Sequence, residues 1–137
     1  MATPRVYEFD VSVDRDRTAT SGLGGRGIER TDVWWAEHLV LAGLVRCTLD
    51  SLAHAARRAG VEVVAEGLAH GRVTKREQDD LYAFVDIETS YEVELSPQPK
   101  PELLAELLER AERGCFVGNS LTARPRYRWT VNGVAVP

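Results

Sequence analysis

Residues 33–60, VWWAEHLVLAGLVRCTLDSLAHAARRAG, read as one long helix that organises the rest of the chain. Thr31 or Asp32 can accept hydrogen bonds from the free amides at its start. Arg57 and Arg58 suit its negative C-terminal end, and Gly60 supplies a left-handed stop. Val33 to Ala59 is unusually apolar, with Trp34, Leu41, Leu44 and Leu52 among many alanines, which predicts a helix covered on more than one side. Cys47, one of two cysteines in the chain, lies inside it.

Working outward, RVYEFDVSVD at 5–14 predicts a strand with Val6, Phe9, Val11 and Val13 as its apolar members. The glycine-rich SGLGGRG at 21–27 ends or bends it. Downstream, Val61 to Val73 and Leu81 to Leu95 predict strands joined by the polar turn TKREQDD, with a face change or bulge near Val85. SPQPKP breaks that pattern, and Pro101 suits the first turn of a second helix. The stripe Leu103, Leu104, Leu107 and Leu108 gives that helix its buried face, and Gly114 ends it. From Arg126 to Val136, strand, Asn132-Gly133 turn and strand predict a hairpin. Together these elements predict a single α+β domain over residues 1–137, a long central helix packed against antiparallel sheets.

The 137 residues are 44% hydrophobic and 28% charged, as in a soluble globular domain. A net charge of −4 disfavours nucleic acid and anionic membranes as partners. The longest unbroken apolar run, Leu39 to Val45, is seven residues, too short to cross a bilayer. MATPRVYEFD carries no apolar signal region, so a cytoplasmic location is expected, where thiols are kept reduced. His38, His54 and His70 have no metal-ligand spacing with one another or with the cysteines, so no metal is expected. Asp50 and His54 stand four apart and can pair on the helix surface. Arg124, Arg126 and Arg128 alternate onto one strand face, which reads as a solvated surface before an anion site.

A cysteine acts as a nucleophile in its thiolate form, which needs a positive neighbour or a helix N-terminus. Cys47 is mid-helix, and Arg46 points about 100° away around the axis. Judged alone, Cys47 fits a small buried hydrophobe better than a reactive thiol. Cys115, just after Gly114, reads the same way when judged alone.

The two segments together are more specific. AEHLVLAGLVRC, with a glutamate ten residues before a helix cysteine, resembles the first-cysteine segment of the OsmC/Ohr family of thiol-dependent hydroperoxide reductases. ERGCFVGNSL resembles the family's second-cysteine segment, and the order of elements agrees over nearly the whole chain. Phe116 stands where proline usually follows the second cysteine, and Trp34-Trp35 replace the usual entry to the helix. Both features look like a divergent OsmC-like branch.

The resemblance implies an intertwined homodimer with active sites at the subunit interface. It implies Cys47 as the peroxidatic thiol, Cys115 as the resolving thiol and Glu37 as the acid that orients an arginine beside the thiolate. GLGGRG resembles the family's glycine-arginine stretch, making Arg26 the candidate and Arg30 the reserve. On an unbroken helix Glu37 and Cys47 lie roughly 15 Å apart along the axis and about 80° apart around it. An arginine relay therefore fits better than direct contact, and a break near Gly43 would ease it. Trp34, Leu41, Leu44 and Phe116 are the expected substrate pocket, apolar enough to favour an organic hydroperoxide. An external dithiol is the expected reductant, and no cofactor is implied. Two other readings stand beside this one: a non-catalytic OsmC-like module binding a small apolar ligand at the dimer interface, and a hot-dog-like acyl thioesterase.

Overall fold

The computed structural model describes residues 3–137, which divide into two compact units, one ending at His38 and the other Leu39–Pro137. In the N-terminal unit, β1 (Val11–Val13) pairs antiparallel with β2 (Ala19–Ser21). The Asp14 carboxylate makes the turn between them by accepting from the amides of Asp16 (2.9 Å) and Thr18 (3.0 Å). The strand expected over residues 5–14 is thus realised only at its end. A two-stranded ribbon pairs few backbone groups, and Val6, Phe9, Val11 and Val13 are all exposed in this chain.

The long helix, α1 (Ala36–Arg58), starts later than the residues alone suggest. Thr31 and Trp34 form a bridge, the Trp35 indole donates to the Asp32 carbonyl, and the Trp35 amide donates to Nδ1 of His38 at 3.0 Å. His38 thereby satisfies a free amide at the helix start, the task expected of Thr31 or Asp32. The other end matches expectation: Gly60, at φ 75°, turns the chain while the Val61 and Gly60 amides reach back to the Ala56 and Arg57 carbonyls. By length and composition α1 could cross a membrane, a property shared by core helices of soluble domains.

In the C-terminal unit, β3 (Glu62–Lys75) and β4 (Tyr82–Ser96) form a long antiparallel pair. Arg72 faces Asp86 while Val73 faces Phe84, so Val85 is the extra residue of a bulge, where the change of face was expected. β5 (Arg126–Val131) joins β4 in parallel, and β6 (Val134–Ala135) closes the sheet in the order β3-β4-β5-β6. The parallel pairing makes the sheet mixed, where antiparallel sheets were expected. The β5–β6 turn has φ 49° at Asn132 and 81° at Gly133, the conformation a tight hairpin demands. The Asn132 side chain also ties this turn to the backbone of Leu95.

The sheet presents Ile87, Thr89, Tyr91, Val93 and Leu95 in strict alternation to the core. Against it lie the α1 stripe Leu44, Thr48, Leu52, Ala55 and Ala56 and the face of α2 (Pro101–Arg113) bearing Leu107, Leu108 and Ala111. Within one chain α1 is therefore buried on a single stripe, with Leu39 and Val40 left exposed, rather than on several sides. On the outer face Arg126 pairs with Asp86 at 2.9 Å and Arg128 with Glu88 at 2.6 Å, the solvated arrangement the arginine alternation suggested. Asp50 lies 3.9 Å from Arg46, not paired with His54.

Candidate active site

Buried residues of the C-terminal unit fall into two clusters. The larger joins Leu52, Ala56, Tyr91, Val93, Leu107 and Trp129. The smaller gathers Leu44, Ile87 and Cys115, with Leu41, Cys47, Phe84, Val117 and Leu121 packed around them. Both cysteines of the chain belong to the smaller one, and both are free thiols.

Cys115 is delivered by the end of α2. Gly114 closes that helix next to α1, where Ser51 donates to the Arg110 carbonyl at 3.2 Å. A Cβ on Gly114 would meet the Ser51 Oγ at 2.5 Å, so glycine permits the approach. One residue later Cys115 caps α3 (Phe116–Ser120), a short helix the sequence did not announce. Its Sγ, fully buried at 0% exposure, accepts from the Gly118 amide at 3.3 Å. It also lies 3.3 Å from the Thr48 hydroxyl and 3.8 Å from the Leu44 carbonyl. Thr48 Oγ1 stands 3.0 Å from that same carbonyl. One hydroxyl proton serves either the carbonyl or the sulfur at a given moment.

Cys47 lies half-buried on the same helix. Burial pushes its thiol above the ordinary range, and the charge and hydrogen bonding of Cys115 push in the same direction. The backbone amides of Val117 and, more weakly, Phe116 oppose this by donating towards its sulfur. Burial prevails, and none of these influences is a cation. As placed in this unit, Cys47 is a thiol with two amides positioned where negative charge would develop.

Two tyrosines back the cluster. The Tyr91 ring stacks on Trp129, centroids 4.5 Å apart, and on Tyr127 at 6.3 Å. The Tyr91 hydroxyl is buried beside Thr48 and Thr89 without a well-formed hydrogen bond to either. Burial raises the pKa of both tyrosines, and the nearby Cys115 raises them further. Trp129 Nε1 donates to the Glu112 carboxylate at 3.0 Å, which fixes the indole under this wall.

Of the expected site residues, the fold brings together Cys47, Cys115, Leu41 and Leu44. The Phe116 amide faces Cys47, whereas its side chain is 51% exposed. Glu37, in the first turn of α1, and Arg26 and Arg30, in the loop before it, are exposed residues of the N-terminal unit. Trp34 belongs to that unit too and packs edge-on against His38, ring centroids 6.2 Å apart. α1 runs without a break through Gly43, so the interruption that would ease an arginine relay does not occur. No metal-binding cluster occurs among the described residues. Thr48 and Gly118 were not singled out from the sequence. Their signals were a lone hydroxyl in the stripe Leu44, Thr48, Leu52, and a glycine three residues after a cysteine that follows a helix stop.

Comparison with known proteins agrees with this architecture. A profile described as OsmC-like protein matches residues 34–130. An OsmC-like protein of unknown function from Vibrio cholerae superposes with a TM-score of 0.76 at 16% identity, covering 91% of this chain and 100% of its own. An organic hydroperoxide resistance protein from Elizabethkingia anophelis superposes at 0.67 with 18% identity, covering 94% and 98%. The organic hydroperoxide resistance protein OhrB of Bacillus subtilis does so at 0.57 with 18% identity, covering 91% and 96%. No curated protein matches the sequence. With the profile matching most of its length and solved OsmC-like structures sharing its fold, the chain belongs to the OsmC-like protein family.

Proposed function

We propose that this protein is a thiol-dependent peroxidase that reduces organic hydroperoxides. The observation that carries the reading is the meeting of two free thiols, one half-exposed and one buried, from elements 68 residues apart. Solvent access favours Cys47 as the sulfur that meets peroxide. Its thiolate attacks the distal oxygen of ROOH, the O–O bond breaks, and ROH leaves with a proton. The Val117 and Phe116 amides hold the charge on sulfur before attack. Cys115 then attacks the Cys47 sulfenic acid, and water departs with the Cys115 proton as the disulfide forms. An external dithiol returns both thiols.

A raised Cys47 pKa at rest means that this chemistry needs a cation. Arg26, with Arg30 as the reserve and Glu37 as its orienting acid, is the assignment. Leu41, Leu44, Phe116 and Trp34 would form the apolar approach for the organic group. An intertwined homodimer fits the exposed Val64 (69%) and Leu68 (64%) on β3 and the uncovered Leu39 and Val40 on α1. A reducing cytoplasm is the compartment in which such thiols stay usable.

The test is consumption of cumene hydroperoxide with dithiothreitol by the wild type and by Cys47→Ser. Turnover in the wild type and its loss in the variant are expected. No turnover in the wild type, or equal turnover in both, overturns the proposal. The raised thiol pKa favours one second reading, a non-catalytic module that holds a small apolar ligand, and an inactive wild type would support it.

A further inference from the structure

The surroundings of Cys115 are more elaborate than a buried thiol requires. Two donors converge on its Sγ, the Thr48 hydroxyl and the Gly118 amide, each at 3.3 Å. Thr48 sits in the middle of the apolar α1 stripe and is itself fully buried. Its hydroxyl has an alternative acceptor in the Leu44 carbonyl at 3.0 Å, so it can hold either the carbonyl or the sulfur. Gly118 is glycine for a steric reason. A Cβ there would come within 2.7 Å of the Tyr127 hydroxyl and 3.3 Å of the Cys115 Sγ. The titratable groups that interact with this sulfur are Cys47 on α1, Tyr91 on β4 and Tyr127 on β5. None of them is a cation, so the two hydrogen bonds are what this wall offers a negative sulfur.

We infer that Thr48 and Gly118 form a thiolate cradle that makes Cys115 the leaving sulfur when the Cys47–Cys115 disulfide is reduced, directing the external dithiol to Cys47. The inference rests on the peroxidase reading for the origin of that disulfide. One thiolate of the dithiol attacks Cys47 Sγ, the only one of the two sulfurs with solvent access. The Cys47–Cys115 bond breaks, and its electron pair leaves on Cys115. The Thr48 proton swings from the Leu44 carbonyl to the sulfur, and the Gly118 amide already points at it. A leaving thiolate departs faster when its charge is held. The second thiolate of the reductant then attacks its own sulfur in the mixed disulfide. Cys47 is released, and the cyclic oxidised reductant departs. Two electrons pass to the protein, and the two protons of the dithiol end on Cys47 and Cys115. Thr48 touches neither peroxide nor reductant and is a positioning residue.

The experiment starts from disulfide made with diamide, so it does not depend on peroxidase activity. Dithiothreitol reduction is followed in the wild type, Thr48→Val and Thr48→Ser. A brief reaction with the monothiol 2-mercaptoethanol, quenched in acid, is mapped by mass spectrometry. Thr48→Val, which keeps the shape and removes the donor, should slow reduction about tenfold, and Thr48→Ser should restore it. The mixed disulfide should lie on Cys47. Equal rates in all three proteins, a mixed disulfide on Cys115, or failure of diamide to link the two sulfurs overturns the inference. An absence of peroxide turnover alongside the expected rates would instead sink the peroxidase reading alone.

Discussion

The two buried clusters of the C-terminal unit share one helix and one strand, yet they are built differently. The larger is closed by aliphatic and aromatic side chains; its Trp129 Nε1 is satisfied by Glu112, and its Tyr91 hydroxyl is buried without a well-formed hydrogen bond. The smaller holds two thiols, a threonine hydroxyl shared between two acceptors and a glycine whose added Cβ would press on the Tyr127 hydroxyl. A fold can place chemistry next to its core when one stretch of a helix stripe packs purely for stability. Leu52, Ala55 and Ala56 supply that stretch, and Leu44, Cys47 and Thr48 supply the other.

That contrast can be broken most directly at Cys47. Cys47→Ser should abolish peroxide consumption while leaving the thermal unfolding midpoint near that of the wild type, because no residue of the larger cluster changes. Next in size, Leu52→Ala should cost about 2–5 kcal/mol in denaturant unfolding, with the surviving folded fraction still active. Leu44→Ala should fall at the lower end of that range, because several of its neighbours are only partly buried and can relax. It should disturb the Cys115 surroundings, which diamide linkage of the two cysteines would report. If Leu52→Ala impairs turnover of the folded protein as strongly as Leu44→Ala, the division between the two clusters is wrong.

A smaller effect is expected in alkaline solution. Cys47, Tyr91 and Tyr127 ionise to anions that burial disfavours, so their folded pKa values lie above the unfolded ones. Their contribution to stability is complete below the unfolded values and is lost as pH rises through the folded ones. The unfolding midpoint should therefore begin to fall near pH ~8.5, and Cys47→Ser should delay that onset towards the tyrosine range near pH ~10. The smallest effect belongs to the outer sheet face. Arg128→Ala removes an exposed ion pair and should change stability by less than about 1 kcal/mol, less still in high salt.

Some features were legible in the residues because their causes are local. Gly60 stops α1, Asn132-Gly133 turns the closing hairpin, and the crowding of Tyr82, Phe84, Val85 and Ile87 marked the bulge at Val85. Others were not. The strand expected over 5–14 forms only at Val11–Val13, since alternation announces the capacity to pair and says nothing of how much partner is available. The start of α1 moved to Ala36 because His38, a side chain reaching back from inside the helix, took the capping role. The resemblance to the OsmC/Ohr segments identified the family from two short motifs and an order of elements, and the profile match over residues 34–130 agrees.

By itself the sequence determined the two long helices, the central strands, the closing hairpin and the pair of cysteines, since helix stops, turns and hydrophobic periods depend on residues within a few positions of one another. Only the tertiary structure decided that Cys115 would be a buried helix cap held by Thr48 and Gly118, and that Cys47 would lie half-exposed beneath the Val117 amide. The Thr48–Cys115 and Cys47–Val117 relations join positions about seventy residues apart. Their geometry depends on how closely α2 approaches α1 at Gly114 and Ser51, a distance that no local pattern encodes.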